Sequence, residues 1–161
     1  MNSEAIIFGA LTGIAATATM DLLAVVSGKI GLTAGARGEW VGRWYLGMTR
    51  GRFAHSDITL APEQAGEKQA ALFGHYAIGI VLALFYVVAA RWLGVRPDSL
   101  FIALGYGFAT TVFPWLLVLP ALGFGAFGLQ GPPGLKLFRT SLLNHLSYGL
   151  GLWWMAKLLP L

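Results

Sequence analysis

Four long apolar segments dominate this sequence and limit the structures that it can form. They cover residues 5–26, 70–90, 100–129 and 140–159, and polar or charged residues bound each of them. An α-helix needs about 20 apolar residues to cross the roughly 30 Å hydrocarbon core of a bilayer, and each segment meets that length. The sequence therefore predicts an all-α membrane protein with four transmembrane helices, folded as a single helical-bundle domain over residues 1–161.

The overall composition supports a membrane protein over a soluble one. Hydrophobic residues make up 57% of the chain and charged residues 11%, whereas a soluble domain has about 45–50% and about 25%. This excludes disordered chains, fibrous repeats and ordinary soluble enzymes. The chain has no cysteine, which excludes disulfides and thiolate metal sites. Its net charge is +4, but the basic residues flank the apolar segments, so they indicate contact with the lipid bilayer and no nucleic-acid partner.

The distribution of basic residues predicts the orientation in the membrane. Lysine and arginine concentrate in the first and third loops: Lys29, Arg37, Arg43, Arg50, Arg52, Lys68, Lys136 and Arg139. Cytoplasmic loops of membrane proteins carry an excess of these residues. We therefore expect the first and third loops in the cytoplasm, and both termini on the other side.

Local patterns predict further features of the loops and of the third segment. Apolar residues recur at helical spacing in the first loop: Trp40, Val41, Trp44, Tyr45 and Met48. They predict an amphipathic helix over residues 39–49 that lies in the headgroup layer.

Pro62 and Glu63 suit the first turn of the helix that leads into the second span. Pro114 and Pro120 predict a kink in the third span.

Three ionisable residues lie inside the predicted spans at a common depth. Asp21, His75 and His145 are each five residues from the cytoplasmic end of their segment, or about 7 Å deep. Small residues follow the helical repeat on the same faces: Gly9, Gly13, Thr17, Gly79 and Gly149. Such residues typically mark close helix contacts, so we expect the three polar side chains to face the interior of the bundle.

Two histidines and one carboxylate form the ligand set of a facial triad, which suits a divalent metal such as Fe(II), Zn(II) or Mn(II). His55 is a candidate fourth group, and Asp57 and Glu67 are candidate accessory ligands. The alternative is a buried hydrogen-bond cluster that holds the helices in register. Haem with His75 and His145 as axial ligands is less favoured, because it leaves the aspartate without a role.

Three classes of function follow from these residues. The leading hypothesis is a site near the cytoplasmic face that binds a metal ion or a small polar ligand, with a membrane-bound enzyme as one form of it. Arg43 and Arg52 are candidate clamps for a phosphate headgroup or an anionic substrate, although a basic loop is also the ordinary signal of topology. A proton-coupled transporter built on Asp21 would need a homodimer. A non-catalytic subunit of a larger membrane complex is the third class, and there Trp115 is expected to face protein or a ligand and not acyl chains.

Several motifs together resemble a known family. They are Gly42-Arg43-Trp44, Gly51-Arg52-Phe53 with His55, Gly74-His75-Tyr76 with Ile78-Gly79, Pro120 with Gly123 and Gly125, and Ser141-Leu142 with His145 and Gly149-Leu150-Gly151-Leu152. The chain resembles a bacterial family of small integral membrane proteins that is known as a domain of unknown function. The resemblance covers nearly the whole chain and implies a four-helix, multi-pass protein of the bacterial inner membrane. It implies no activity, substrate or catalytic residue.

Overall fold

The described part of the chain is entirely helical. A computed structural model describes residues 3–33, 38–132 and 134–159, and these ranges contain no β-strand. Five α-helices account for most of them: α1 (Ser3–Lys29), α2 (Gly38–Met48), α3 (Glu67–Leu93), α4 (Leu100–Thr110) and α5 (Leu135–Leu158). The predicted all-α class is confirmed.

Three helical stretches in the described ranges are long and apolar enough to cross a membrane. They are α1, α3 and the stretch Leu100–Ala121, which begins with α4. The fourth predicted span corresponds to α5, whose 24 residues give a length of about 36 Å. Its length is sufficient, but polar residues such as Asn144 and His145 lower its hydropathy. Length and composition therefore support three spans.

The third predicted span ends earlier than expected. Its helical structure stops at Ala121, so the predicted end at residue 129 is wrong. Gly123, Gly125 and Gly128 follow with φ angles of 89°, 67° and 72°, a left-handed conformation that glycine adopts without steric cost and that ends a helix. Where a kink was expected, residues Pro114–Val118 form a π-helix, and Leu119 N–H donates to the Pro114 carbonyl. A proline removes one backbone donor, which favours such an interruption.

The chain divides into two compact units. Unit 1 contains the described parts of residues 1–25, 76–110 and 143–161. Its buried core comprises Ala16, Met20, Ala83, Tyr86, Ala103, Tyr148 and Leu152. The small-residue stripe of α1 packs closely on α3, because a Cβ built on Gly13 would lie 2.5 Å from the Cα of Ile80. Small residues thus bring these two helices together, as the spacing predicted.

Unit 2 contains the described parts of residues 26–75 and 111–142. Its buried core comprises Trp44, Ile58, Leu119, Leu122, Phe124 and Leu137, with Trp40, Val41, Tyr45 and Met48 packed against it. The helix predicted over residues 39–49 is therefore present as α2. Its apolar stripe packs on this protein core, so contact with lipid is not needed to explain the amphipathic pattern.

Unit 2 also contains Trp115, which was expected to face protein. Its ring stacks on Phe138 with the centroids 4.6 Å apart and an interplanar angle of 12°. The ring of Phe127 lies 5.6 Å away. One face of the indole is thus covered by protein.

The start of α3 differs from the expectation. Pro62 and Glu63 precede the helix, which begins at Glu67. Gly66 has a φ angle of 84°, and the Gln64 N–H donates to the Glu67 carboxylate at 3.0 Å. A side-chain acceptor in the first turn satisfies a backbone donor that lies outside the helix, which fixes the start of the helix here.

Candidate functional site

A buried arginine connects α2 to the start of α3 in unit 2. Arg43 is 4% exposed, and its Nε and Nη2 donate to the two carboxylate oxygens of Glu67 at 2.8 and 3.0 Å. Its Nη1 donates to the carbonyls of Ile58 and Ala61 at 3.3 and 2.6 Å. The hydrogen bond to Glu67 raises the pKa of Arg43. All of these partners are internal, so Arg43 holds the fold together, and its predicted role as a clamp for an anion stays a prediction.

The residues around Arg43 fasten the following loop to α2. A Cβ on Gly42 would collide with the carbonyl oxygen of Glu67, so only glycine allows this close approach. The indole Nε1 of Trp44 donates to the Phe53 carbonyl at 2.8 Å. The Gly42-Arg43-Trp44 motif therefore has a packing role at each of its three positions.

The segment around His55 is held by its backbone. The His55 N–H donates to the Ala121 carbonyl at 2.8 Å, and the Ile58 N–H donates to the Leu122 carbonyl at 2.9 Å. A Cβ on Gly123 would collide with the Ser56 carbonyl. These contacts fix residues 55–58 against residues 121–123 without any help from the imidazole ring.

The imidazole of His55 is buried but has no partner in the described part of the chain. The residue is 7% exposed, and neither ring nitrogen forms a hydrogen bond with another described residue. Burial lowers the pKa of His55, and the charges of Arg52 and Arg43 lower it further from its ordinary value of 6.5. The ring is therefore neutral at pH 7 and offers one N–H donor and one acceptor nitrogen.

The remaining candidates of the first loop differ in their contacts. Asp57 caps the short helix Ile58–Leu60 and accepts from the backbone N–H and the hydroxyl of Thr59 at 2.8 and 2.7 Å. Glu67 is paired with Arg43, so both predicted accessory carboxylates serve the fold. Arg52 is exposed.

Two of the three ionisable residues predicted inside the spans belong to unit 1. Asp21 accepts a hydrogen bond from the Tyr76 hydroxyl at 3.1 Å. His145 Nδ1 lies 2.7 Å from the Thr110 hydroxyl, which itself donates to the Gly107 carbonyl at 2.7 Å. A hydroxyl has one proton, so if the threonine donates it to the carbonyl, Nδ1 of His145 is the donor to the hydroxyl oxygen.

The third predicted residue, His75, lies on α3 in unit 2. In the described ranges, no group of three or more histidine, aspartate or glutamate side chains is arranged to hold a metal ion. The metal site of Asp21, His75 and His145 thus stays a prediction without structural support. Tyr76 and Thr110 could not be predicted as partners from the sequence, because an uncharged hydroxyl in an apolar helix has no distinctive pattern.

The comparisons with known proteins agree with the resemblance. The family model described as "Protein of unknown function (DUF2938)" matches residues 10–159. No match was found among curated proteins or among solved structures. Because the match covers nearly the whole chain, the protein belongs to the DUF2938 family.

Proposed function

We propose that this protein crosses the membrane four times, with α5 as the fourth crossing. Two polar groups of α5 support this, because they are paired within unit 1: His145 with Thr110 at 2.7 Å, and the Tyr148 hydroxyl with the Gly79 carbonyl at 2.6 Å. The exposed side chains of α5 in this unit are mostly apolar: Leu143, Leu150, Trp154 and Leu158. A helix with paired polar groups and an apolar outer face can cross a bilayer despite its lower hydropathy.

We further propose that the first and third loops face the cytoplasm of a bacterial cell and that both termini lie outside it. The excess of lysine and arginine in these loops supports this orientation. Alkaline phosphatase and fluorescent-protein fusions at residue 50 and at the C-terminus test it. Phosphatase activity is expected only at the C-terminus, and activity at residue 50 would contradict the proposal.

The function that the geometry supports best is the binding of a small polar ligand by the His55 imidazole. The observation that carries it is that this ring is buried, while neither nitrogen has a hydrogen-bond partner among the described residues. More than about 90% of buried polar groups in proteins are hydrogen-bonded, and each unpaired group costs about 1–3 kcal/mol. A ligand that bonds to the ring would remove this cost.

The surroundings of His55 strengthen this interpretation. The neighbouring polar side chains of Arg43, Trp44 and Asp57 all have hydrogen-bond partners. The segment also keeps its place through the backbone N–H of His55, so the fold does not use the imidazole nitrogens. A side chain that is costly to bury and unused by the fold is a good candidate for binding.

Thermal unfolding of the purified protein in detergent tests this proposal. The probes are inorganic phosphate, Zn²⁺ and the neutral amide acetamide, and the variant His55→Leu removes both nitrogens at similar volume. We expect at least one probe to raise the Tm of the wild type but not of His55→Leu. Ser56→Ala, at the exposed neighbour, is the matched control and should respond like the wild type. If no probe acts through His55, the ring binds only water and the proposal is wrong.

A further inference from the structure

We infer that the ligand of His55 is a phosphate group or a related oxyanion, held between the His55 ring and the Arg52 guanidinium. This inference rests on the proposed binding function and names its ligand class. An anion is thus the expected ligand, although the sequence alone is compatible with a metal ion or a small polar molecule.

The two side chains meet beside Gly47 on α2. A Cβ built on Gly47 would lie 3.5 Å from Nε2 of His55 and 3.7 Å from Cβ of Arg52. The same atom would lie 3.1 Å from the Arg52 carbonyl, so a larger residue would press on the loop that carries both groups. The ring nitrogen and the base of the arginine side chain therefore approach the same glycine, close enough for the long arginine side chain to reach a small ligand bound to the ring.

The charges around His55 favour an anion. Arg52 is exposed, and its guanidinium has no hydrogen bond or ion pair with another described residue. The guanidinium of Arg50 donates to the neutral amide of Gln64 at 3.1 Å. The Glu67 carboxylate is paired with Arg43, and the Asp57 carboxylate accepts from Thr59. A metal cation would be repelled by the free guanidinium, whereas an oxyanion gains a charge-assisted hydrogen bond.

At pH 7 the imidazole of His55 orients the ligand, whereas Arg52 supplies the positive charge. As a neutral ring it donates one N–H to an oxygen of the anion, while the guanidinium supplies the charge and further donors. Its flanking residues Ala54 and Ser56 are exposed, so the ring lies just beneath the surface.

The phosphate has two chemical sources, a lipid headgroup and a free phosphate compound. Phe53, next to Arg52, is 66% exposed, and an exposed aromatic ring beside an arginine is typical of the headgroup layer. Both sources present the same oxyanion to the site, so only an experiment that supplies them separately can distinguish them.

The experiment measures the Tm of the full chain in detergent with inorganic phosphate, and in nanodiscs of phosphatidylglycerol or phosphatidylcholine. The variants are Arg52→Gln, Arg52→Lys and His55→Leu, with Arg91→Gln as the control because Arg91 is an exposed arginine outside this site. We expect phosphate or phosphatidylglycerol to raise the Tm of the wild type and of Arg91→Gln. Arg52→Gln should weaken the apparent affinity roughly tenfold or more, and Arg52→Lys should restore part of it.

The outcomes distinguish this inference from the proposed function. If the Tm rises in phosphatidylglycerol nanodiscs and added phosphate does not change this rise, the ligand is a lipid headgroup. If the Tm rises with inorganic phosphate in detergent, the ligand is a free phosphate compound. If Zn²⁺ or acetamide acts through His55 but neither phosphate source does, the oxyanion inference is wrong and the proposed function stands. If no probe acts through His55, both are wrong.

Discussion

Arg43 and Glu67 form a two-point ion pair across 24 residues of the chain, with distances of 2.8 and 3.0 Å. Their side chains are 5% and 10% exposed. A paired geometry of this kind satisfies both charges, but neither of them would be tolerated alone at this depth. The pair therefore fixes α2 against the start of α3, and with it the loop that carries His55.

Removing one partner of this pair should destabilise the protein strongly. Glu67→Gln leaves the guanidinium of Arg43 buried without a counter-charge, and we expect the free energy of unfolding to fall by about 3–5 kcal/mol. Denaturant unfolding in detergent measures the change. Glu63→Gln, at an exposed position in the same loop, is the control and should change stability by less than about 0.5 kcal/mol. An equal, small effect of both variants would contradict the role given to the pair.

Gly42 should be intolerant of even one methyl group. The Cβ of Gly42→Ala would meet the backbone carbonyl of Glu67, which cannot move away as a flexible side chain could. We expect a loss of about 1–3 kcal/mol. Gly105→Ala is the matched control, because a Cβ at this position in α4 has no atom within 4 Å. The control should be neutral or stabilising by about 0.5–1 kcal/mol, since alanine favours a helix.

Stability should depend on pH through His55 in the absence of ligand. Its pKa in the folded protein is lower than the ordinary value of 6.5, because of burial and of the charges of Arg52 and Arg43. The segment 119–124 that packs against it has no titratable residue. A lowered histidine pKa means that this stability is complete above pH 6.5 and is lost as the pH falls through the folded-state value.

The variant His55→Leu isolates this contribution from the other histidines. We expect the Tm difference between pH 7.5 and pH 5 to be smaller in His55→Leu than in the wild type. Differential scanning in matched buffers measures both proteins. If the Tm of both proteins depends on pH in the same way, burial does not lower the pKa of His55.

The pH dependence of ligand affinity should distinguish an anion from a metal ion. A bound anion beside His55 favours the protonated ring, so sulfate, whose charge is constant in this range, should bind more tightly as the pH falls from about 7.5 to 5.5. A metal ion would show the reverse, because it needs the neutral nitrogen. Measuring the Tm during titrations with sulfate and with Zn²⁺ at both pH values shows whether the affinity for each ion rises or falls with pH.

The sequence predicted what depends on local patterns. Helical spacing of Trp40 and Trp44 located α2 to within one residue at each end, and the lengths of the apolar segments identified α1 and α3. The end of the third span was misplaced because Gly123 and Gly125 lie in an apolar stretch, where their left-handed backbone leaves no mark on hydropathy.

The candidate site was harder to predict because it depends on contacts between distant residues. Ionisable groups inside spans are functional by default, and this rule favours Asp21, whereas the loop residue His55 is only a candidate fourth group on the sequence alone. The burial of His55 results from its backbone bond to Ala121, 66 residues further along the chain. No periodicity can reveal such a pairing in a single sequence.

The hydrogen bond between His145 and Thr110 leads to a last prediction. Because the Thr110 hydroxyl gives its proton to the Gly107 carbonyl, His145 must donate from Nδ1, and ¹⁵N NMR should find the Nδ1–H tautomer. Thr110→Val keeps the shape of the side chain but removes the acceptor, so it should lower the free energy of unfolding by about 1–3 kcal/mol. Thr110→Ser keeps the hydroxyl and should retain both the tautomer and most of the stability. An Nε2–H tautomer in the wild type would show that the threonine donates to the ring instead.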